Sequence, residues 1–201
     1  FKNRGALLVP VALVLVVFGR PSFESAIIGV SIALAGEALR IWAVGYSGVT
    51  TRADVVTAPA LVTNGPYAFV RNPLYLANAI IALGFWAAFS GGVSPASALL
   101  MLVATVAFVG GVYAVIVPLE ETYLAGHFGE PYRRYMSAVP RLLPTGASFP
   151  KDERAGTWRA VVIGRAEIIT LAFLAVMILM VYLKLGPLST WGLYFGGAVD
   201  L

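Results

Sequence analysis

The chain has 201 residues, of which 59% are hydrophobic and 12% charged, and its formal net charge is +4. That is far more apolar surface than a soluble core of this size can hide, so the bilayer has to be its solvent. The absence of cysteine excludes disulfide frameworks, thiolate nucleophiles, iron–sulfur clusters and cysteine-ligated zinc, and the modest charge gives no footprint for a nucleic-acid partner.

A membrane helix needs about 20 mostly apolar residues. The first candidate, Gly5 to Gly19, is short for a span and contains Pro10. The second runs from about Ala26 to Tyr46 and carries Glu37 and Arg40, an i, i+3 pair that reads as a buried ion pair fixing helix packing or as the floor of a substrate site. A polar, loop-like stretch follows, Ser47 to Asn72. Between Asn72 and Leu119 there is no charged residue, and the break at Ser90 to Pro95 divides that length into two helix-sized halves, a transmembrane hairpin. After Pro118 the chain becomes amphipathic and charged as far as Arg165, and the apolar run Ile168 to Leu183 is the last candidate span. The glycine-rich end, Gly186 to Leu201, reads as an interfacial tail.

The expected fold is therefore all-α, a polytopic helical protein of about five spans. It forms one integral membrane domain over residues 1–201, with a C-terminal span at about 163–184. Cytoplasmic loops retain Lys and Arg. With both ends of the hairpin on the cytoplasmic side, only Arg20 and Lys184 among the 14 basic residues lie on the other. This places the N-terminus and every motif-like segment at the cytoplasmic face.

Three segments concentrate chemistry. The first is Asn64-Gly65-Pro66-Tyr67 with Arg71-Asn72-Pro73-Leu74-Tyr75. Proline is tolerated in the first turn of a helix, so Pro73 marks where the hairpin begins, and free N–H groups there suit an anion or polar ligand. The plainer reading is a positive-inside flank, Arg71, with belt aromatics. The second is Glu120-Glu121, at the end of an apolar helix. Carboxylates at such a place are costly unless they have a partner, and a sulfonium or ammonium group is a fitting one; the plainer reading is a salt-bridged helix end. On a helix Glu120, Tyr123, Leu124 and His127 share one face and Glu121 turns away from it, which favours Glu120 as the ligand contact. The third is His127-Phe128-Gly129-Glu130-Pro131-Tyr132-Arg133-Arg134-Tyr135, followed by Val139-Pro140-Arg141-Leu142-Leu143-Pro144.

Together these segments, over about residues 57–144, resemble the isoprenylcysteine carboxyl methyltransferase and phospholipid methyltransferase superfamily. The resemblance implies an integral membrane, S-adenosyl-L-methionine-dependent methyltransferase acting on a lipid-like acceptor that enters from the bilayer. It implies that Tyr67, Arg71, Pro73, Tyr75, Glu120, Glu121 and Leu124 line the cofactor pocket, and that the segment with Phe128, Tyr132, Tyr135 and Leu142 folds over it. Asn72 stands where the carboxyl methyltransferases usually have His. Asn donates and accepts hydrogen bonds but does not titrate, which leaves a phospholipid or another amphiphile as open as an isoprenylcysteine.

On this reading the cofactor-binding set is Tyr67, Asn72, Pro73, Tyr75, Glu120, Leu124, Tyr132 and Leu142. Arg71 orients an acceptor carboxylate or phosphate through its planar fork, and Glu121 is the candidate proton acceptor for an amine. His127 is the only histidine, so no metal site is expected. No glycine-rich nucleotide loop occurs. The competing readings are a reductase of the sterol-reductase type using NADPH and a non-catalytic transporter or assembly protein.

Overall fold

The structure of the chain, a computed structural model, describes residues 9–48 and 60–186, without the side chains of 162–166. Its six helices are α1 (Val9–Phe18), α2 (Phe23–Ser47), α3 (Pro73–Ser90), α4 (Pro95–Phe128), α5 (Glu130–Ala138) and α6 (Ile163–Leu185), with short 3-10 turns at Gly65–Ala68, Lys151–Glu153 and Ala160–Val162. No strand occurs among the described residues.

Four helices, α2, α3, α4 and α6, are long and apolar enough to cross a membrane. A polytopic helical membrane protein is thus what the chain forms. The first candidate span is represented by the ten residues of α1, which begins at Val9; Gly5 to Leu8, its expected start, lie outside the described residues, as do residues 49–59 of the expected loop and 187–201 of the expected tail.

Local chemistry accounts for the helix ends. Ser22 and Ser25 close a capping box at the start of α2, Ser94 caps α4, and prolines occupy the first turns of α3, α4 and α5. The helix α4 does not stop near Leu119, as its hydropathy suggests, but runs through Pro118 to Phe128. It ends at Gly129, whose φ of 61° suits glycine. Pro118 removes the N–H that would bond the Ala114 carbonyl, and the helix carries on across that gap.

The closest pair is α2 with α3. Gly29 and Gly36 of α2 face Gly84, Ala77 and Ala88 of α3, and a Cβ at Gly29 would overlap the Gly84 and Ala88 backbone. Small residues let membrane helices approach until their backbones touch, which is where van der Waals attraction replaces the missing hydrophobic drive. The helix α1 lies against α3, α4 and α6. At one end of the bundle the Arg20 N–H donates to Phe89 O, and Lys184 Nζ donates to Gly19 O at 2.7 Å. This end carries the α3–α4 turn. The start of α3 and the end of α4, with their charged residues, lie at the other.

Towards that second end, α2, α3 and α6 are pinned by a buried polar contact. Arg40 Nε donates to Glu167 Oε2 at 2.7 Å, Nη2 donates to Oε1 at 3.2 Å, and Nη1 donates to Asn78 Oδ1 at 2.6 Å. The structure thereby gives Arg40 a partner that the sequence did not suggest, Glu167, 127 positions away and fully buried. A bidentate guanidinium–carboxylate pair with a third acceptor answers the polar demands of both groups inside an apolar bundle.

Candidate functional site

The site is assembled where the start of α3, the last turns of α4 and the segment after α5 meet. The N–H groups of Arg71 and Asn72 donate to the carbonyls of Pro140 and Arg141 at 2.9 and 3.1 Å, so the two motif segments lie side by side. Arg71 then uses its whole fork. Nε donates to Glu121 Oε1 at 2.9 Å and Nη2 to Oε2 at 3.3 Å. Nη1 donates to the carbonyls of Met136 and Val139 at 2.7 and 2.6 Å, which closes the C-terminal end of α5.

Glu121 accepts from two further groups, Asn72 Nδ2 at 3.1 Å and Arg141 Nε at 2.9 Å. The Asn72 amide sits between this carboxylate and the Arg141 carbonyl, 3.2 Å away. Both neighbours are acceptors, so its NH₂ must face them. A donor to Glu121 is what this position supplies, and Asn supplies it without a titrating ring.

The helical wheel turned Glu121 away from the face of Glu120, Tyr123, Leu124 and His127, and in the structure Glu121 belongs to the buried face of α4. The buried stripe of α4 is Met101, Thr105, Val109, Tyr113, Val117 and Glu121, one residue every fourth position. Glu121 is its polar terminus, 3% exposed. Glu120 is half-buried beside it and accepts from Tyr75 Oη at 2.8 Å. The Tyr75 ring meets Tyr113 edge-on at 4.7 Å. Tyr123 and His127 stack on each other at 5.8 Å on the exposed face instead.

The other residues that the sequence singled out lie near this cluster. Pro73 is buried at the first turn of α3. Tyr67 lies in the 3-10 turn Gly65–Ala68, and its carbonyl accepts from Tyr135 Oη at 2.6 Å. Burial pushes its phenol up to about 12, and burial likewise raises Tyr132 and Tyr135. All three stay neutral near pH 7. Tyr132 and Tyr135 form a small apolar cluster with Ala68, Val139 and Phe149, and Leu124 packs against it. Leu142 packs against the main core on the other side of the charged group.

The structure brings Arg71, Asn72, Glu121, Tyr75 and Glu120 together. Tyr132, Leu124 and Leu142 pack in the apolar clusters beside it, and Arg141, which the sequence did not single out, is a full member. Its signal was only its place in the Val-Pro-Arg-Leu-Leu-Pro segment.

The bundle and this cluster define a polytopic helical membrane protein with an ionic site at one end of its helices. A family model described as phospholipid methyltransferase matches residues 25–131, from early α2 to the first residues of α5. The chain belongs to this family, and it is a membrane methyltransferase by that membership. No curated protein and no solved structure matches the chain.

Proposed function

We propose that the protein transfers a methyl group from S-adenosyl-L-methionine to a lipid-like acceptor drawn from the bilayer. The observation that carries this reading is the union, in a member of a methyltransferase family, of a half-buried carboxylate, Glu120, with a tyrosine rim at the membrane end of α4.

The residues present fit such a cofactor. Its cationic sulfonium and ammonium need a carboxylate out of bulk water, and Glu120 is one, oriented by the Tyr75 hydroxyl. Tyr67 and Tyr75 form the rim as neutral phenols, the first turn of α3 after Asn72 and Pro73 offers N–H groups, and Leu124, Tyr132 and Leu142 exclude water. When bound, the cofactor supplies an electrophilic methyl group.

The protein's work is alignment and dryness rather than strong acid or base chemistry. Arg71 and Glu121, expected to orient the acceptor and to take its proton, are committed to each other. Their role here is to hold the segments 71–73 and 136–142 against α4. We assign them as positioning residues.

We assign the cluster end to the cytoplasmic side, a reading supported by the charge bias, since among the described residues Arg20 and Lys184 are the basic ones at the opposite end.

The test is thermal unfolding in detergent with added ligands. S-adenosylhomocysteine at about 100 times its Kd should stabilise the protein by about 2.7 kcal/mol and raise Tm, whereas NADPH should not. Stabilisation by NADPH would favour a reductase, and the absence of any ligand effect would remove the cofactor assignment.

A further inference from the structure

Between α3 and α4 runs a groove of about 470 Å³, open sideways along the helices. Ala79, Ala82, Gly110 and Ala114 leave it empty by the smallness of their side chains, and Tyr113 and Arg141 lie towards its charged end. Its α4 wall, from Thr105 to Pro118, is about 20 Å long at 1.5 Å per residue. No described residue fills it: among the described residues a Cβ at Gly110 would meet no atom within 4 Å.

Among the described residues, Arg141 is the only charged one that lines the groove. Nε and Nη2 of this residue contact Glu121, while its side chain remains 50% exposed. Arg71 and Arg141 share the Glu121 carboxylate, and Arg71 is buried whereas Arg141 is not, so Arg141 is the guanidinium of the two that a ligand can reach. An apolar trough about one helix span long, with a cation at one end, matches a molecule with an apolar chain and an anionic head. A phosphate suits the planar guanidinium fork.

We infer that the α3–α4 groove is the acyl-chain subsite of the methyl acceptor, a membrane phospholipid, and that Arg141 takes its phosphate. The inference rests on the methyltransferase reading and deepens it. Arg141 is then the residue that selects anionic heads. Tyr113, which lines the groove and whose ring touches Tyr75, is the link between the bound chain and the Glu120 site. The small residues set how thick a chain the groove admits.

The test uses the whole chain in lipid vesicles with two photoactivatable probes, a phosphatidic acid and a diacylglycerol, each carrying a diazirine far along one acyl chain. Cross-linked peptides are mapped, and S-adenosylhomocysteine stabilisation and methyl transfer to a phospholipid extract are measured on the same samples. Phosphatidic acid should label the groove segments around residues 79–83 and 105–114 several-fold above the other lipid-facing helices. Arg141→Gln should lower that enrichment about tenfold and leave diacylglycerol labelling unchanged. Gly110→Phe should abolish groove labelling and methyl transfer but keep the stabilisation by S-adenosylhomocysteine. Uniform labelling of all apolar faces, indifference to Arg141→Gln, or parental methyl transfer by Gly110→Phe would each overturn the inference. Phosphate-dependent groove labelling in a parent that neither binds S-adenosylhomocysteine nor transfers methyl would overturn the methyltransferase reading and the acceptor role, leaving a phospholipid site.

Discussion

Glu121→Gln isolates the contribution of the ionic cluster, because the amide keeps the shape of the side chain and removes its charge. In the parent, Glu121 neutralises Arg71, whose side chain is only 9% exposed, and accepts from Asn72 and Arg141 as well. Arg141, half in solvent, can rehydrate after the change, but Arg71 cannot. An uncompensated buried charge costs about 3–5 kcal/mol, and the new NH₂ faces guanidinium donors. For a chain of this size each kcal/mol moves Tm by about 2–4 °C, so a drop of roughly 6–20 °C is expected in detergent. The control is Arg133→Gln, which breaks the 3.4 Å pair with Glu130 between two exposed side chains and should leave Tm in place. The assay is unfolding followed by tyrosine or tryptophan fluorescence. If Glu121→Gln melted within a degree or two of the parent, the claim that this carboxylate staples three segments would be wrong.

Glu120→Gln should do the opposite, keeping Tm while weakening S-adenosylhomocysteine by about ten- to a hundredfold, the loss of a charge-assisted contact of roughly 1.5–3 kcal/mol; calorimetric titration of unchanged affinity would remove Glu120 from the cofactor site. Gly84→Leu should destabilise the bundle by more than the roughly 1–3 kcal/mol of ordinary overpacking, since its Cβ would lie 2.5 Å from the Ala33 backbone, whereas Gly110→Phe should fold normally; equal melting of the two variants would contradict the packing described. Single cysteines at Ala96 and Ser148, both exposed positions in this cysteine-free chain, should label from outside intact cells at 96 only, and labelling at 148 would reverse the sidedness.

What the sequence discloses here follows from which constraints are local. The hairpin was legible because Pro73, the Ser90 to Pro95 break and the lack of charge from 73 to 119 are all short-range signals, and the structure has α3 and α4 on either side of that break. The length of α4 was not, because falling hydropathy after Pro118 says nothing about backbone conformation, and Gly129 is the residue that ends it. The two motifs announced their importance, but not their wiring. Assigning Glu120 and Glu121 depended on which face of α4 is buried, and that is set by α3 and the segment after α5, not by spacing within the pair. The same holds for Arg141, which reaches Glu121 only once residues 71–72 and 140–141 are side by side. Arg40 and Glu167 illustrate the limit: in sequence Glu167 merely borders an apolar run, and its burial against Arg40 comes from α6 packing on α2.

The central claim is methyl transfer to a lipid. Vesicles containing the purified chain, methyl-labelled S-adenosylmethionine and a total lipid extract, followed by separation of lipid from aqueous phase, measure it directly. The label should appear in a phospholipid, and Glu120→Gln, folded and melting like the parent, should lose most of it. Label confined to a water-soluble acceptor, or lipid labelling undiminished in Glu120→Gln, would contradict the account.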